Sequence, residues 1–197
     1  NLLFNTLLAI GFEWGVGLQH LELGKISKGR DDRKSTLIRV REFGQKAGRQ
    51  LLKDYVVFPA ITSLSPGATY RSTATANAIA NVIRNVWANA VIFCGHFPDG
   101  AEKFTKTDMV GESKGQWYLR QMLGSANIDG SRAMDFMTGN LSYQIEHHLF
   151  PDLPSNRYRE ISVRVLQVCD KYDLPYTTGP FLVQYAKTWR TIAKLSL

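Results

Sequence analysis

Cysteine and histidine are both scarce in this chain, with two of one and four of the other among 197 residues. Cys94 and Cys169 lie far apart and form no CxxC pair, which excludes a disulfide framework and a zinc knuckle and leaves two buried structural thiols as the reading. No glycine-rich dinucleotide or phosphate-binding pattern occurs, so a Rossmann or P-loop nucleotide site is excluded. There is no internal repeat, no low-complexity segment and no signal-peptide layout of basic, apolar and small-residue regions. The chain opens on Asn1 rather than Met, with an apolar run at once. This reads as a fragment whose N-terminal portion lies elsewhere, so that any site in it is half a site.

What is present is unevenly spread. Hydrophobic residues make up 44% and charged residues 21%, but the apolar ones are clumped. Residues 1–23, NLLFNTLLAIGFEWGVGLQHLEL, are long enough to span a bilayer, yet Gly11, Glu13, Gly15 and Gly17 fit a re-entrant or interfacial segment equally well. Residues 24–54 carry ten basic residues against four acidic ones, +6 of the chain's net +7. The positive-inside rule puts such a segment on the cytoplasmic side, against anionic lipid. A nucleic-acid partner is excluded, because the basic residues lack interleaved aromatics and abut apolar spans.

Residues 51–95 read as a transmembrane hairpin. LLKDYVVFPAITSLSP and TATANAIANVIRNVWANAVIFCG are its arms, and Pro66 and Gly67 supply the turn. In the second arm Asn77, Asn81, Asn85 and Asn89 recur every fourth residue, a polar stripe that drifts slowly around one helix face and returns to it at His96. Such a stripe inside an apolar span faces either a functional cavity or a neighbouring helix, as amide glue. Arg84 needs a partner or a route to the interface. Residues 96–197 read as a helical cap. PDG at 98–100 is a turn, 111–124 a short amphipathic helix, and Ser155 or Asn156 caps a helix through Tyr172 with Ile161, Val165, Leu166, Val168, Cys169 and Tyr172 on its apolar face. Pro180 starts a last helix with an apolar stripe of Phe181, Leu182, Tyr185, Trp189 and Ile192. The fold class expected is all-α, an integral membrane helical bundle with a cytoplasmic cap.

Two of the four histidines stand side by side in GNLSYQIEHHLFPDLP. If residues 140–149 are helical, Gln144, His147 and His148 share one broad face, while the two imidazoles diverge by about 100° and so suit two neighbouring ions better than one. Imidazole nitrogen suits iron, zinc or copper. Gln144 offers only a neutral carbonyl oxygen. Glu146 is a candidate acceptor that orients an imidazole N–H. The order E-H-H, with no second histidine four residues on, argues against a zinc protease, which wants HExxH.

This stretch resembles the third histidine box, [HQ]xxHH, of the membrane fatty acid desaturases. FCGHFPDG and KDYVVFPA are also similar to bacterial acyl-chain desaturases, and the resemblance covers most of the chain. It implies an oxidoreductase that introduces a double bond into a fatty acyl chain with dioxygen and a centre of two iron ions. His147 and His148 would each bind one iron, His96 would be an additional ligand, and Gln144 would stand where the box often has histidine. Asn89 would act through water. The family's first two boxes are absent from these residues, which makes the fragment inactive alone. His20, followed by LELG, belongs to no box. Trp87, Phe93 and Phe97 read as tunnel-lining or core aromatics. The implied partners are a fatty acyl-CoA or acyl-lipid substrate, membrane lipid, and an electron donor of reductase/ferredoxin or cytochrome b5 type, with the metal site on the cytoplasmic face. A related di-iron lipid hydroxylase and a non-catalytic membrane protein with a structural metal are the alternatives.

Overall fold

The computed structural model describes residues 1–22, 33–97, 102, 104, 105 and 107–196. The first part of the basic segment, through residue 32, and the turn expected at 98–100 lie outside the described residues. In chain order the elements are α1 (Leu2–Ile10), α2 (Phe12–His20), α3 (Arg33–Leu52), a π-helical turn (Lys53–Val57), α4 (Phe58–Thr62), α5 (Tyr70–His96), α6 (Lys114–Leu123), β1 (Asn127–Asp129), α7 (Arg132–Met137), α8 (Gln144–Leu149), a 3-10 turn (Ser155–Arg157), α9 (Tyr158–Tyr172), β2 (Thr178–Pro180) and α10 (Phe181–Lys194). They gather into two compact units, Thr6–Trp87 and Ala88–Leu197 with Asn1–Asn5.

In the Thr6–Trp87 unit, most of the asparagine stripe acts as glue between helices. The expected first arm of the hairpin is not a separate helix: α3 runs on through the π turn into α4. Pro59 sits just past that turn and has no N–H for the carbonyls four and five residues back, those of Tyr55 and Asp54. Side chains from α5 reach both, the Tyr70 hydroxyl donating to Tyr55 O and Asn77 Nδ2 to Asp54 O. The Asp54 carboxylate is buried and takes hydrogen bonds from Asn81 Nδ2 at 3.1 Å and Gln50 Nε2 at 3.0 Å, with Lys53 Nζ 2.7 Å away. Asn85 accepts the Glu13 N–H at 3.0 Å, and Arg84 pairs with the Glu13 carboxylate. At the buried Asp54 and Asn85 these bonds pair polar groups that would otherwise be buried unsatisfied.

α5 has 27 residues and is long and apolar enough to cross a membrane, whereas α1 and α2 pass that test only as a pair bent by 99°. The bend falls at Gly11, between the two helices.

The Ala88–Leu197 unit is built around Met122, Ile145, Val165 and Cys169, with Leu123, Leu149, Ile161, Leu174 and Tyr176 packed against them. It is mostly helical but not purely so. β1 and β2 form a parallel pair, Asn127 opposite Thr178 through Asp129 opposite Pro180. Three-residue strands carry too little periodicity to be read from sequence. α9 begins at Tyr158, which is buried, and Leu166, Val168 and Tyr172 of its expected apolar face are exposed. Pro180 precedes α10 as its N-cap residue. α10 buries Gln184 and Thr188 most deeply, while Phe181, Tyr185, Trp189 and Ile192 of its expected apolar stripe are half-buried and Leu182 is exposed. Gln184 Nε2 donates to Asn127 O at 2.6 Å, which joins α10 to β1. Both cysteines are free and buried, as expected of structural thiols.

Candidate metal centre

α8 is shorter than the expected 140–149 helix. Gly139 and Asn140 both take positive φ, 62° and 64°, and turn the chain before it. Asparagine tolerates that left-handed region better than most residues. Asp135 fixes the same turn, accepting from Ser142 Oγ at 2.8 Å and from Arg159 Nε at 3.0 Å. Tyr143, the residue before α8, supplies no side-chain cap. Asn127 on β1 does that work from a distance: its Oδ1 accepts the Ile145 N–H at 2.8 Å, satisfying one of the orphan donors of the first turn.

Glu146 is fully buried, and it orients no imidazole among the described residues, contrary to the role expected for it. Its carboxylate accepts from Asn127 Nδ2 and from the Tyr176 hydroxyl, each at 2.8 Å. Burial raises its pKa, and those two hydrogen bonds oppose the rise. Glu146 therefore ties α8 to β1 and to the segment before β2, while the two histidines that follow it have other partners.

Those histidines meet His96. The Nε2 atoms of His148 and His96 are 3.1 Å apart, and their ring centroids 5.0 Å. His147 lies beside them, its centroid 5.7 Å from that of His148. Each ring has its Nδ1 engaged: His96 with Ile92 O at 2.7 Å, His148 with Gln121 Oε1 at 3.0 Å, His147 with the Tyr158 hydroxyl at 3.1 Å. A carbonyl oxygen only accepts, so Nδ1 of His96 and of His148 carries the proton and Nε2 carries the lone pair. Burial, followed by the neighbouring His96 and His147 rings, pushes the His148 pKa down to about 4. His147 is lowered too, by burial and then by His96. Neutral imidazoles are the form that binds metal.

Two bare lone pairs aimed at each other repel unless a cation lies between them. Metal–imidazole bonds of about 2.1 Å set at right angles would hold two nitrogens about 3.0 Å apart, close to the spacing seen. The residues thus fit a metal ion in donor type and spacing. Gln144 is adjacent: its side chain packs on Gly95, and its Oε1 is buried with no hydrogen-bond partner. Asn89, on the preceding turns of α5, is 2% exposed. Among the described residues no group of three or more His, Cys, Asp or Glu is placed so that it could hold a metal ion by itself. His20 is exposed in the other unit, consistent with its belonging to no box.

Residues 2–180 match the sequence model of the fatty acid desaturase family, and the chain belongs to that family. Among its relatives, it is 77% identical to the NADPH-dependent stearoyl-CoA 9-desaturase of Mycobacterium tuberculosis over all of its own 197 residues, 46% of that protein. It is 38% identical over 95 residues to the acyl-lipid (9-3)-desaturase of Borago officinalis, covering 48% of this chain and 21% of that one. To the Delta(8)-fatty-acid desaturase of Helianthus annuus it is 43% identical over 88 residues, 43% of this chain and 19% of that one. The chain thus spans about half the length of the mycobacterial relative. No solved structure matches it.

Motif and spacing single out the histidines, Gln144 and Asn89 but not Gln121, Tyr158, Asn127 or Tyr176. Gln121 and Tyr158 lie in helices read by their apolar faces, Asn127 in a strand too short to read, and Tyr176 in the irregular segment before β2, so nothing in their neighbours marks them.

Proposed function

We propose that the chain supplies His96, His147 and His148 to an iron centre that desaturates a fatty acyl chain. The observation that carries this is the convergence of His96 Nε2 and His148 Nε2, each with its Nδ1 on a carbonyl oxygen. His96 and His148 serve one ion and His147 the second, with Gln144 and, through water, Asn89 beside them. Three imidazoles cannot fill two iron shells, so the centre takes further ligands besides these three.

Saturated C–H bonds yield to no side chain, and iron with dioxygen supplies the oxidising power when bound. The chain's own residues hold and orient. Asn127, Glu146 and Tyr176 fix α8, Ile92 O and Gln121 set which imidazole nitrogens stay bare, and the Ile145 core excludes water behind the ligands. The substrate class is a saturated acyl-CoA of the kind named for the mycobacterial relative, with electrons from NADPH through a reductase/ferredoxin or cytochrome b5-type donor. α5 crosses the bilayer, residues 1–23 are re-entrant, and the centre at the His96 end lies on the cytoplasmic face, as the basic segment's positive-inside signal supports.

The test is product analysis. Full-length protein with bound iron, supplied with stearoyl-CoA, NADPH and electron-transfer partners, should give an unsaturated ester by gas chromatography. A hydroxylated product would transfer the site to a lipid hydroxylase, and iron-loaded protein that leaves the chain saturated would refute the reading.

A further inference from the structure

We propose that Gln121 is a positioning residue of the metal centre: by accepting the Nδ1–H of His148 it fixes the tautomer that leaves Nε2 bare for the ion. This rests on the iron reading above.

The three imidazoles differ in how their tautomers are set. His96 bonds to the carbonyl of Ile92, four residues back on its own helix. That acceptor is backbone, so no side chain is needed to keep Nε2 unprotonated. His147 faces the Tyr158 hydroxyl, which can donate or accept and so leaves both tautomers open. His148 alone depends on a side-chain carbonyl, Gln121 Oε1.

Gln121 is well held for the task. α6 starts with a capping box, Ser113 Oγ accepting from the Gln116 N–H and the Gln116 side chain accepting from the Ser113 N–H. Its neighbour Arg120 makes a two-pronged pair with Glu112, at 2.6 and 2.9 Å. On the other side Met122 is buried against Cys169. The Gln121 backbone carbonyl accepts from Ser125 Oγ at 2.5 Å. The amide is thus aimed by the helix and not by chance.

Without that acceptor a competing state opens. His148 can move its proton to Nε2 and donate it to the bare Nε2 of His96, which lies 3.1 Å away. That N–H···N bond occupies both nitrogens and holds the pair closed to metal. Gln121 acts by denying His148 this tautomer.

The experiment loads full-length protein anaerobically with iron(II) and follows iron release to ferrozine. Gln121→Leu and Gln121→Met, which keep bulk but cannot accept, should release iron about tenfold to a hundredfold faster than the parent. Gln121→Glu, which only accepts, should release it no faster than the parent. Melting of the metal-free forms identifies any variant that is misfolded, and the Leu and Met substitutions provide two independent chances of a folded one. Wild-type release rates in a folded Leu or Met variant overturn the proposal, and so does a Glu variant that releases as fast as they do. A parent protein that retains no iron, or a His148→Ala variant with undiminished iron, overturns instead the metal reading beneath it.

Discussion

Gly95 and Gln144 touch so closely that a Cβ built on Gly95 would lie 2.7 Å from Gln144 Cγ and 3.1 Å from its Cδ. The last turn of α5 and the first turn of α8 are therefore brought together by the absence of one methyl group. His96 follows the glycine, and His147 and His148 follow the glutamine, so this contact sets how near the imidazoles come.

Gly95→Ala should force α8 away from α5. The expected cost is about 1–3 kcal/mol of stability from overpacking a full site, with a loss of bound iron alongside. Gly44→Ala is the control. Gly44 lies inside α3 with nothing within 4 Å of the added methyl, so removing its backbone freedom should stabilise by about 0.5–1 kcal/mol. Opposite shifts in melting temperature for these two substitutions are the readout.

Single alanine substitutions of His96 and His148 should each abolish most iron binding in the full-length protein, measured by metal analysis, and cut desaturation at least tenfold, since loss of one ligand leaves its partner's lone pair without a shared ion. His147→Ala should lower the iron-to-protein ratio without reaching zero. His20→Ala should change neither quantity.

Asn81→Ala removes one of the donors on the buried Asp54 carboxylate. A loss of about 1–3 kcal/mol is expected for a buried charge left short of a partner. Bound iron should not change, because the clamp belongs to the other compact unit. An iron loss equal to that of His148→Ala would contradict this division of labour.

Cys94 and Cys169 are 0% and 1% exposed. Burial also raises the Cys169 pKa, keeping its sulfur in the unreactive thiol form. Neither should react with iodoacetamide in folded protein at pH 8, and both should react fully once the chain is unfolded. Mass spectrometry of the labelled peptides reads the outcome.

The helices around residues 70–96, 114–123, 158–172 and 181–194 were legible from apolar spacing and turn residues, whereas the helix at 33–52 was not, because its dense basic charge reads only as a membrane-surface segment. The pair of candidate ligands was legible too, because EHHLFP is a rare string. What was not legible depends on tertiary partners. The role of Asn77 becomes clear only when Pro59 is seen to deprive two carbonyls of a donor. Glu146 looked like an imidazole partner because it is next to one in sequence; the helix turn sends its carboxylate to Asn127 and Tyr176. α10 shows aromatic periodicity in sequence, yet the contact that decides its orientation is one amide, Gln184, bonded to a strand carbonyl.

That amide has a consequence for the ligand helix. α10 is the last helix in chain order and carries none of the candidate ligands. Yet Gln184 grips Asn127, and Asn127 holds the helix on which the paired histidines ride. This last helix is thus mechanically coupled to α8, and loosening its grip on β1 would reach the imidazoles through one strand residue.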